Sequence, residues 1–153
     1  MVMGSQASIL RFFSAGVVYS IPVDQVTRII HFVALQESPV DKCYIVGILN
    51  YHGVAIPVID ISMFIGRKHT ESYSKDHSII ICSCGTGFGM VCSEVVDIAD
   101  TNLDDPAPVS QEAAMSPIKY HLADDKISHP VDLDRVISAL SSISNTEYAP
   151  SCW

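Results

Sequence analysis

Residues 47–61 have the sequence Gly-Ile-Leu-Asn-Tyr-His-Gly-Val-Ala-Ile-Pro-Val-Ile-Asp-Ile. Two apolar runs flank a short turn, in which Asn50 and Gly53 are residue types that tolerate a positive φ. Apolar runs on both sides of such a turn are typical of a β-hairpin. The pattern therefore predicts two antiparallel strands, Ile45–Tyr51 and Val54–Ile59.

Further short apolar runs, rich in Val, Ile and Phe and separated by Gly, Pro, Asn and Asp, recur on both sides of this hairpin. Their length and spacing are typical of a β-sandwich or barrel. A second hairpin is predicted at the turn Gly85-Thr86-Gly87. The other predicted strands are Ile9–Ser14, Val17–Pro22, Ser78–Cys84, Gly87–Ser93 and Val95–Ala99. The sequence therefore predicts an all-β fold.

One helix is predicted firmly, from Asp132 to Ile143. Asp132 is a suitable N-cap, and an apolar stripe runs along one face of the following turns. Residues 24–31 fit a short helix or a strand equally well, because their apolar positions suit either period. That choice stays open.

The chain has 153 residues, of which 48% are hydrophobic and 17% charged, a balance typical of a globular protein. A domain of about this size buries enough surface to fold without metal or disulfide staples. We expect a single domain over residues 9–144, an N-terminal tail over residues 1–8 and a C-terminal tail over residues 145–153.

The net charge is −8, and from Glu94 onward eleven acidic residues face three basic ones. Nucleic acids and anionic membranes both require clustered Lys and Arg, so this balance argues against either as a partner. The first residues do not resemble a signal peptide, and the longest uncharged run is too short and too interrupted to span a bilayer. These features predict a cytoplasmic protein without membrane insertion.

No pattern predicts a catalytic, cofactor-binding or metal site. The six histidines and five cysteines lack the spacing of a metal site, and the odd number of cysteines favours reduced thiols. Residues 85–89 have the composition of a phosphate loop, but a strand rather than a helix follows them. No Ser or Cys lies in a nucleophile elbow.

Residues 47–61 resemble the signature of CheW-type coupling proteins, Gly-Val-Ile-Asn-Leu-Arg-Gly followed by an apolar strand, Pro-Val and Asp-Leu. The resemblance extends from about Ile9 to Ile143 in the family's order. Val26-Thr27-Arg28-Ile29 falls where the family has Val-x-Glu-Ile, and residues 130–136 resemble its last strand running into the C-terminal helix.

The resemblance implies an all-β fold of two five-stranded SH3-like β-barrel subdomains side by side, with a C-terminal helix and both chain ends in one half. It also implies a non-catalytic adaptor without a cofactor. One barrel would bind the regulatory domain of a CheA-type histidine kinase. An apolar groove between the barrels would bind the cytoplasmic helical tip of a methyl-accepting chemoreceptor. The candidate partner-binding residues are Val26, Arg28, Ile29, Val46, Ile48, Asn50 and His52.

Three of these positions depart from the family pattern. Arg28 stands where the family usually has Glu, His52 where it usually has Arg, and Val46 where a basic residue often precedes the signature glycine. We predict that Arg28 and His52 replace a Glu–Arg charge couple and so change partner choice more than fold. A titratable His52 also permits pH-sensitive binding, although an exposed turn histidine without a regulatory role is the favoured explanation.

The apolar candidates could instead be ordinary core, since burial is the default for such residue types. Two other functions stay open at this point. One is a CheW-like interaction module in a two-component pathway outside chemotaxis. The other is an enzyme or small-molecule-binding β-barrel, which would require a concave pocket with convergent polar groups.

Overall fold

The fold is known from a computed structural model, which describes residues 6–40, 42–67, 72–83, 87–102, 121–123 and 126–145. These residues form two five-stranded sheets and two helices. The strands are β1 (Gln6–Ser14), β2 (Val17–Pro22), β3 (Val26–His31), β4 (Ile45–Tyr51), β5 (Val54–Ile59), β6 (Ser78–Cys82), β7 (Phe88–Cys92), β8 (Glu94–Asn102), β9 (His121–Ala123) and β10 (Lys126–Pro130). The helices are α1 (Ile61–Phe64) and α2 (Leu133–Asn145).

The strand order is β8-β1-β2-β10-β9 in the first sheet and β3-β6-β7-β5-β4 in the second. The chain starts in the first sheet, builds all of the second from β3 to β7, and returns to the first at β8. Both described ends therefore lie in one half, as predicted. The β2–β10 and β5–β7 pairs are parallel, and the other pairs are antiparallel.

The predicted closure into SH3-like barrels is not confirmed. Within the described residues β8 and β9 remain the edges of the first sheet, and β3 and β4 remain the edges of the second. The chain that follows β3 reaches β4 at a single residue pair, Gln36 and Ile48, with N–O distances of 3.0 and 2.8 Å. The ladder between β3 and β6 ends at His31. The residues after His31 therefore contact β4 through one bridge only and do not close the sheet into a barrel.

Two tight hairpins connect neighbouring strands. His52 and Gly53 have φ values of 52° and 84° between β4 and β5, and Ala15 and Gly16 have φ values of 49° and 81° between β1 and β2. Positive φ at both central residues is the geometry of a type I′ turn, which matches the twist of the flanking strands. The hairpin predicted at residues 47–61 is thus confirmed.

The second predicted hairpin is confirmed in its strands. β6 and β7 pair antiparallel from Ser78 opposite Cys92 to Cys82 opposite Phe88. The predicted turn residues Gly85 and Thr86 lie outside the described residues, as do residues 1–5 and 146–153 of the predicted tails.

The open choice at residues 24–31 resolves into a 3₁₀ turn at Val23–Gln25 followed by strand β3. The register of β3 on β6 shifts between Val26 and Arg28, which lie opposite Cys82 and Ile81. Such a bulge adds one residue to the strand and breaks the strict alternation of its side chains.

Two large apolar cores lie on opposite faces of the second sheet. The first core joins the two sheets and α2, and the second core lies under the chain that follows β3. Along β6, Ile80 and Cys82 face the first core whereas Ile79 and Ile81 face the second. Burial on both faces explains why β6 and β7 have continuous rather than alternating apolar sequences.

The C-terminal helix is confirmed. Asp132 accepts a hydrogen bond at its Oδ1 from the backbone N–H of Arg135 at 3.1 Å, as an N-cap does. Val136 is fully buried in the first core, and Leu133, Ile137 and Leu140 pack around it. The helix therefore covers the core between the sheets.

The prediction of reduced thiols holds for Cys82 and Cys92, which are free and buried. It fails at Cys43, which takes part in a disulfide bond. Cys43 lies in an exposed turn before β4 rather than in a core strand, so its sulfur is not enclosed by packing.

Candidate partner-binding surface

The seven candidate residues lie on the two edge strands of the second sheet. Val26, Arg28 and Ile29 belong to β3, while Val46, Ile48 and Asn50 belong to β4 and His52 to its turn. These strands are the outermost ones of the sheet. The candidates therefore form two groups rather than one contiguous cluster along a strand.

Val26 and Ile29 point toward the first sheet. Their partners on β6 are Cys82 and Ile80, both of which belong to the first core, and directly opposed residues share a face. Val26 is half-buried against this core, whereas Ile29 keeps 40% of its surface exposed. Together they place partly exposed apolar surface at the β3 edge of the first core.

Arg28 points to the other face of β3. It lies opposite Ile81, a residue of the second core, and its side chain is exposed. Within the described residues it makes no ion pair. The bulge thus gives β3 a cationic side and an apolar side within three residues.

On β4, Val46 and Ile48 are both half-buried. Val46 packs against the second core, so it contributes to stability as well as to any contact. Ile48 pairs with Pro57 on β5 and makes the two backbone hydrogen bonds to Gln36. Pro57 lacks an N–H, but the pairing of β5 with β7 starts only at Val58, so no ladder bond is lost.

Asn50 and His52 are exposed at the hairpin turn. The Asn50 Oδ1 accepts a hydrogen bond from the N–H of Gly53 at 2.9 Å, so this side chain also shapes the turn. The His52 ring lies edge-on to Tyr51, with 4.4 Å between ring centroids. The described residues include no hydrogen bond or ion pair between His52 and Arg28, and their role as a charge couple stays a prediction.

A buried group of polar side chains, which sequence reasoning did not identify, connects the two sheets. We call it the inter-sheet polar cluster, and its members are Ser14, Tyr19, Asp60, Ser62 and Tyr73. Asp60, Ser62, Ser14 and Tyr19 are all at least 96% buried. The one available signal was Asp60 directly before an apolar segment, the position of a helix N-cap.

Asp60 is the acceptor at the centre of this cluster. Its Oδ1 accepts from the N–H groups of Ser62 and Met63 at 3.0 and 3.3 Å, which caps α1, and from the Ser14 hydroxyl at 3.5 Å. Its Oδ2 accepts from the Tyr73 hydroxyl at 2.5 Å. The buried carboxylate is therefore well supplied with donors, as burial of a charged group requires.

A second buried charge was also missed. Arg11 is 1% exposed and forms a bidentate pair with Asp97 on the neighbouring strand β8, with both N–O distances at 2.6 Å. Bidentate geometry of this kind strongly orients both partners. It ties β1 to β8 in a defined register.

One small cavity adjoins the inter-sheet polar cluster, lined by Ser14, Asp60, Tyr73, His77 and Cys92 among others. Its volume of about 10 Å³ is room for a single water molecule. Burial raises the pKa of the Cys92 thiol to about 12, so this thiol is not an activated nucleophile at neutral pH. The cavity does not have the size or the chemistry of a substrate site.

Within the part of the chain that the structure describes, no group of three or more His, Cys, Asp or Glu side chains is arranged to hold a metal ion. Among the described residues, no helix is long and apolar enough to cross a bilayer.

The arrangement just described is that of a known family. The family model of the CheW-like domain matches residues 8–141, most of the chain. The chain therefore belongs to the CheW-like domain family, a family of scaffold and adaptor proteins.

Among solved structures, the chain is similar to the crystal structure of the scaffolding protein TtCheW from Thermoanaerobacter tengcongensis. The two are 25% identical with a TM-score of 0.67, over 82% of this chain and 88% of that one. No curated protein matches the sequence.

Proposed function

We propose that this protein is a non-catalytic adaptor that couples chemoreceptors to a CheA-type histidine kinase. Family membership supports the adaptor role. The observation that carries the proposal is the composition of β3, an edge strand with an exposed apolar residue toward the first sheet and an exposed cation on the opposite face. One strand thereby borders two different surfaces.

The apolar surface suits the cytoplasmic helical tip of a methyl-accepting chemoreceptor. Val26 and Ile29 line the opening between the sheets, and Ile48 points to the same side of the second sheet by alternation with Leu49 of the second core. An amphipathic helix binds such a groove through apolar residues at helical spacing. A ligand in this groove contacts both sheets.

The charged surface suits the regulatory domain of the kinase. All three exposed polar candidates belong to the second sheet, with Arg28 at its β3 edge and Asn50 and His52 at its β4 edge. Exposed charges at the rim of an interface select partners and affect association rates more than they add affinity. We propose that Arg28 and His52 adapt this surface to a kinase with complementary charge, in the cytoplasm, with residues 9–144 as the binding domain between two tails.

Calorimetric titration tests both contacts. The purified protein is titrated with the regulatory domain of a CheA-type kinase from its own genome and with a helical-hairpin peptide of a receptor tip. We expect saturable micromolar binding of each. The double variant Arg28→Glu/His52→Arg should weaken kinase binding about fivefold, equivalent to about 1 kcal/mol for exposed charges.

Lys75→Gln is the matched control for the double variant, because Lys75 is also exposed and both changes lower the net charge by one. It lies outside the proposed surfaces and should leave both affinities unchanged. Absence of kinase binding would refute the coupling role. Equal effects of Lys75→Gln and of the double variant would mean that net charge, rather than the position of the charges, determines kinase affinity.

A further inference from the structure

The inter-sheet polar cluster contains directional contacts between the sheets. The Ser62 hydroxyl, at the start of α1, lies 3.1 Å from the carbonyl oxygen and 3.0 Å from the Oγ of Ser14 on β1. It also lies 3.3 Å from the hydroxyl of Tyr19 on β2. Ser62 is fully buried, and both of its partners belong to the first sheet while α1 follows β5 of the second.

The donors in this cluster can be ordered. A carboxylate accepts hydrogen bonds without donating any, so Asp60 ends the chain. The Ser14 hydroxyl donates to Asp60, the Ser62 hydroxyl donates to the Ser14 Oγ, and the Tyr19 hydroxyl can then donate to Ser62. Each hydroxyl has one proton, and this order uses each proton once.

Besides this cluster, the described residues join the sheets through an apolar core and through Ser93, which follows β7 and donates to the carbonyl oxygen of Phe13 on β1. Leu10, Phe12 and Ile21 of the first sheet pack against Ile59, Ile80 and Met90 of the second. Apolar packing is not directional, and cores of similar volume tolerate alternative packings before they lose stability. Buried hydrogen bonds tolerate little displacement, because each group that loses its partner is left desolvated.

We propose that Asp60 and Ser62 are positioning residues that set the orientation of the two sheets, and through it the width of the groove between them. The inference rests on the proposed function for its ligand: a helix in the groove contacts both sheets and depends on their orientation. The kinase domain contacts the second sheet alone, so its binding does not depend on the cluster.

The test is Ser62→Ala, which removes the hydroxyl and leaves Asp60 in place. Ser128→Ala is a closely matched control: Ser128 is also a fully buried serine, and its Oγ makes no hydrogen bond to any residue that the structure describes. Titration as above should show at least a tenfold loss of affinity for the receptor-tip hairpin with Ser62→Ala. Kinase-domain affinity should stay within twofold, and Ser128→Ala should change neither.

If Ser62 only stabilised the fold, Ser62→Ala would leave both affinities unchanged as long as the protein remained folded. A selective loss of receptor-tip binding therefore distinguishes a positioning role from a stabilising one. Tyr19→Phe is the second variant; its ring keeps the stacking on Phe12, with centroids 5.9 Å apart. It should reproduce the selective loss. Equal loss for both ligands, or no loss for either, would overturn the proposal.

Methyl NMR provides a readout that needs no ligand. Ile61 and Ile80 share the first core with Phe12 and Tyr19. In Ser62→Ala, contacts between methyls and aromatic rings in this core should shift or weaken, while Ile79 and Ile81 in the second core stay unchanged. Wild-type protein that binds neither ligand would refute the proposed function, and this measurement would still decide the inference. Unchanged inter-sheet contacts would overturn it.

Discussion

Gly47 is a position where no side chain fits. A Cβ built on it would lie 2.7 Å from the Cβ of Leu35 and 2.8 Å from the carbonyl oxygen of Gln36. Both atoms are in or next to the backbone and cannot rotate away. The signature glycine is therefore required by the close approach of the segment after β3, which makes the Gln36–Ile48 bridge.

We predict that Gly47→Ala destabilises the protein by about 1–3 kcal/mol, the usual cost of overpacking. Hydrogen–deuterium exchange should locate the effect. The Ile48 amide, which donates to Gln36, should exchange much faster, while the amides of the β6–β7 ladder serve as the internal control. An Ile48 amide that stays as protected as in the wild type would contradict this explanation.

At His52, the backbone conformation is determined by the turn, whereas the exposed side chain belongs to the surface. Its φ of 52° is in the left-handed region, where histidine is more common than most residues other than glycine, asparagine and aspartate. The family's usual arginine would add a positive charge at this position but would not favour the positive φ more than histidine does. The departure from the family concerns the surface rather than the turn.

At the scale of elements, the bounds of three strands agree with the prediction from the sequence, whereas one short helix was not predicted. β2, β4 and β5 have the bounds that their sequences predict, and a tight turn with positive φ fixes one end of each. α1 was not predicted, since four residues are too few for a periodic pattern. It exists because the Asp60 carboxylate caps it.

The N-cap of α2 offers a direct test at this scale. We predict that Asp132→Ala lowers the free energy of unfolding by about 1 kcal/mol, because the Arg135 N–H loses its acceptor. Asp132→Asn is the control, since asparagine retains an acceptor oxygen and caps helices about equally well. Urea denaturation followed by circular dichroism measures both. Equal losses would mean that charge near the helix, rather than capping, is responsible.

At the scale of the whole molecule, the second sheet belongs to both large cores. Ile79 and Ile80 are neighbours on β6, both fully buried, and face the second and the first core respectively. Unfolding of the second sheet would disrupt both cores at once, because its central strands contribute residues to each. We therefore expect the two sheets to unfold together.

The matched variants Ile79→Val and Ile80→Val test this cooperativity. Each should lower stability by about 0.5–1.5 kcal/mol, the usual cost of one buried methylene. In both, circular dichroism and tyrosine fluorescence should report one coincident urea transition with an unchanged slope. Separate transitions by the two probes in either variant would show that the halves unfold independently.

The sequence by itself determined the elements with short-range causes. Alternation, turn residues and the N-cap act within a few positions of the chain, so the hairpin at residues 47–61 and helix α2 could be predicted. The family resemblance was visible in the same local patterns. Candidate residues such as Arg28 and His52 were found by the same means, because departures from a signature are visible in the sequence.

The tertiary structure alone decided which residues meet across the chain. The Ser14–Ser62 contact joins residues 48 positions apart and the Arg11–Asp97 pair joins residues 86 apart, and no local pattern encodes either. The bulge that turns Val26 and Arg28 to opposite faces, the open edges of the sheets and the disulfide at Cys43 likewise depend on pairing and proximity in three dimensions. Long-range register is set by the packing of whole sheets, which the sequence of any one segment does not contain.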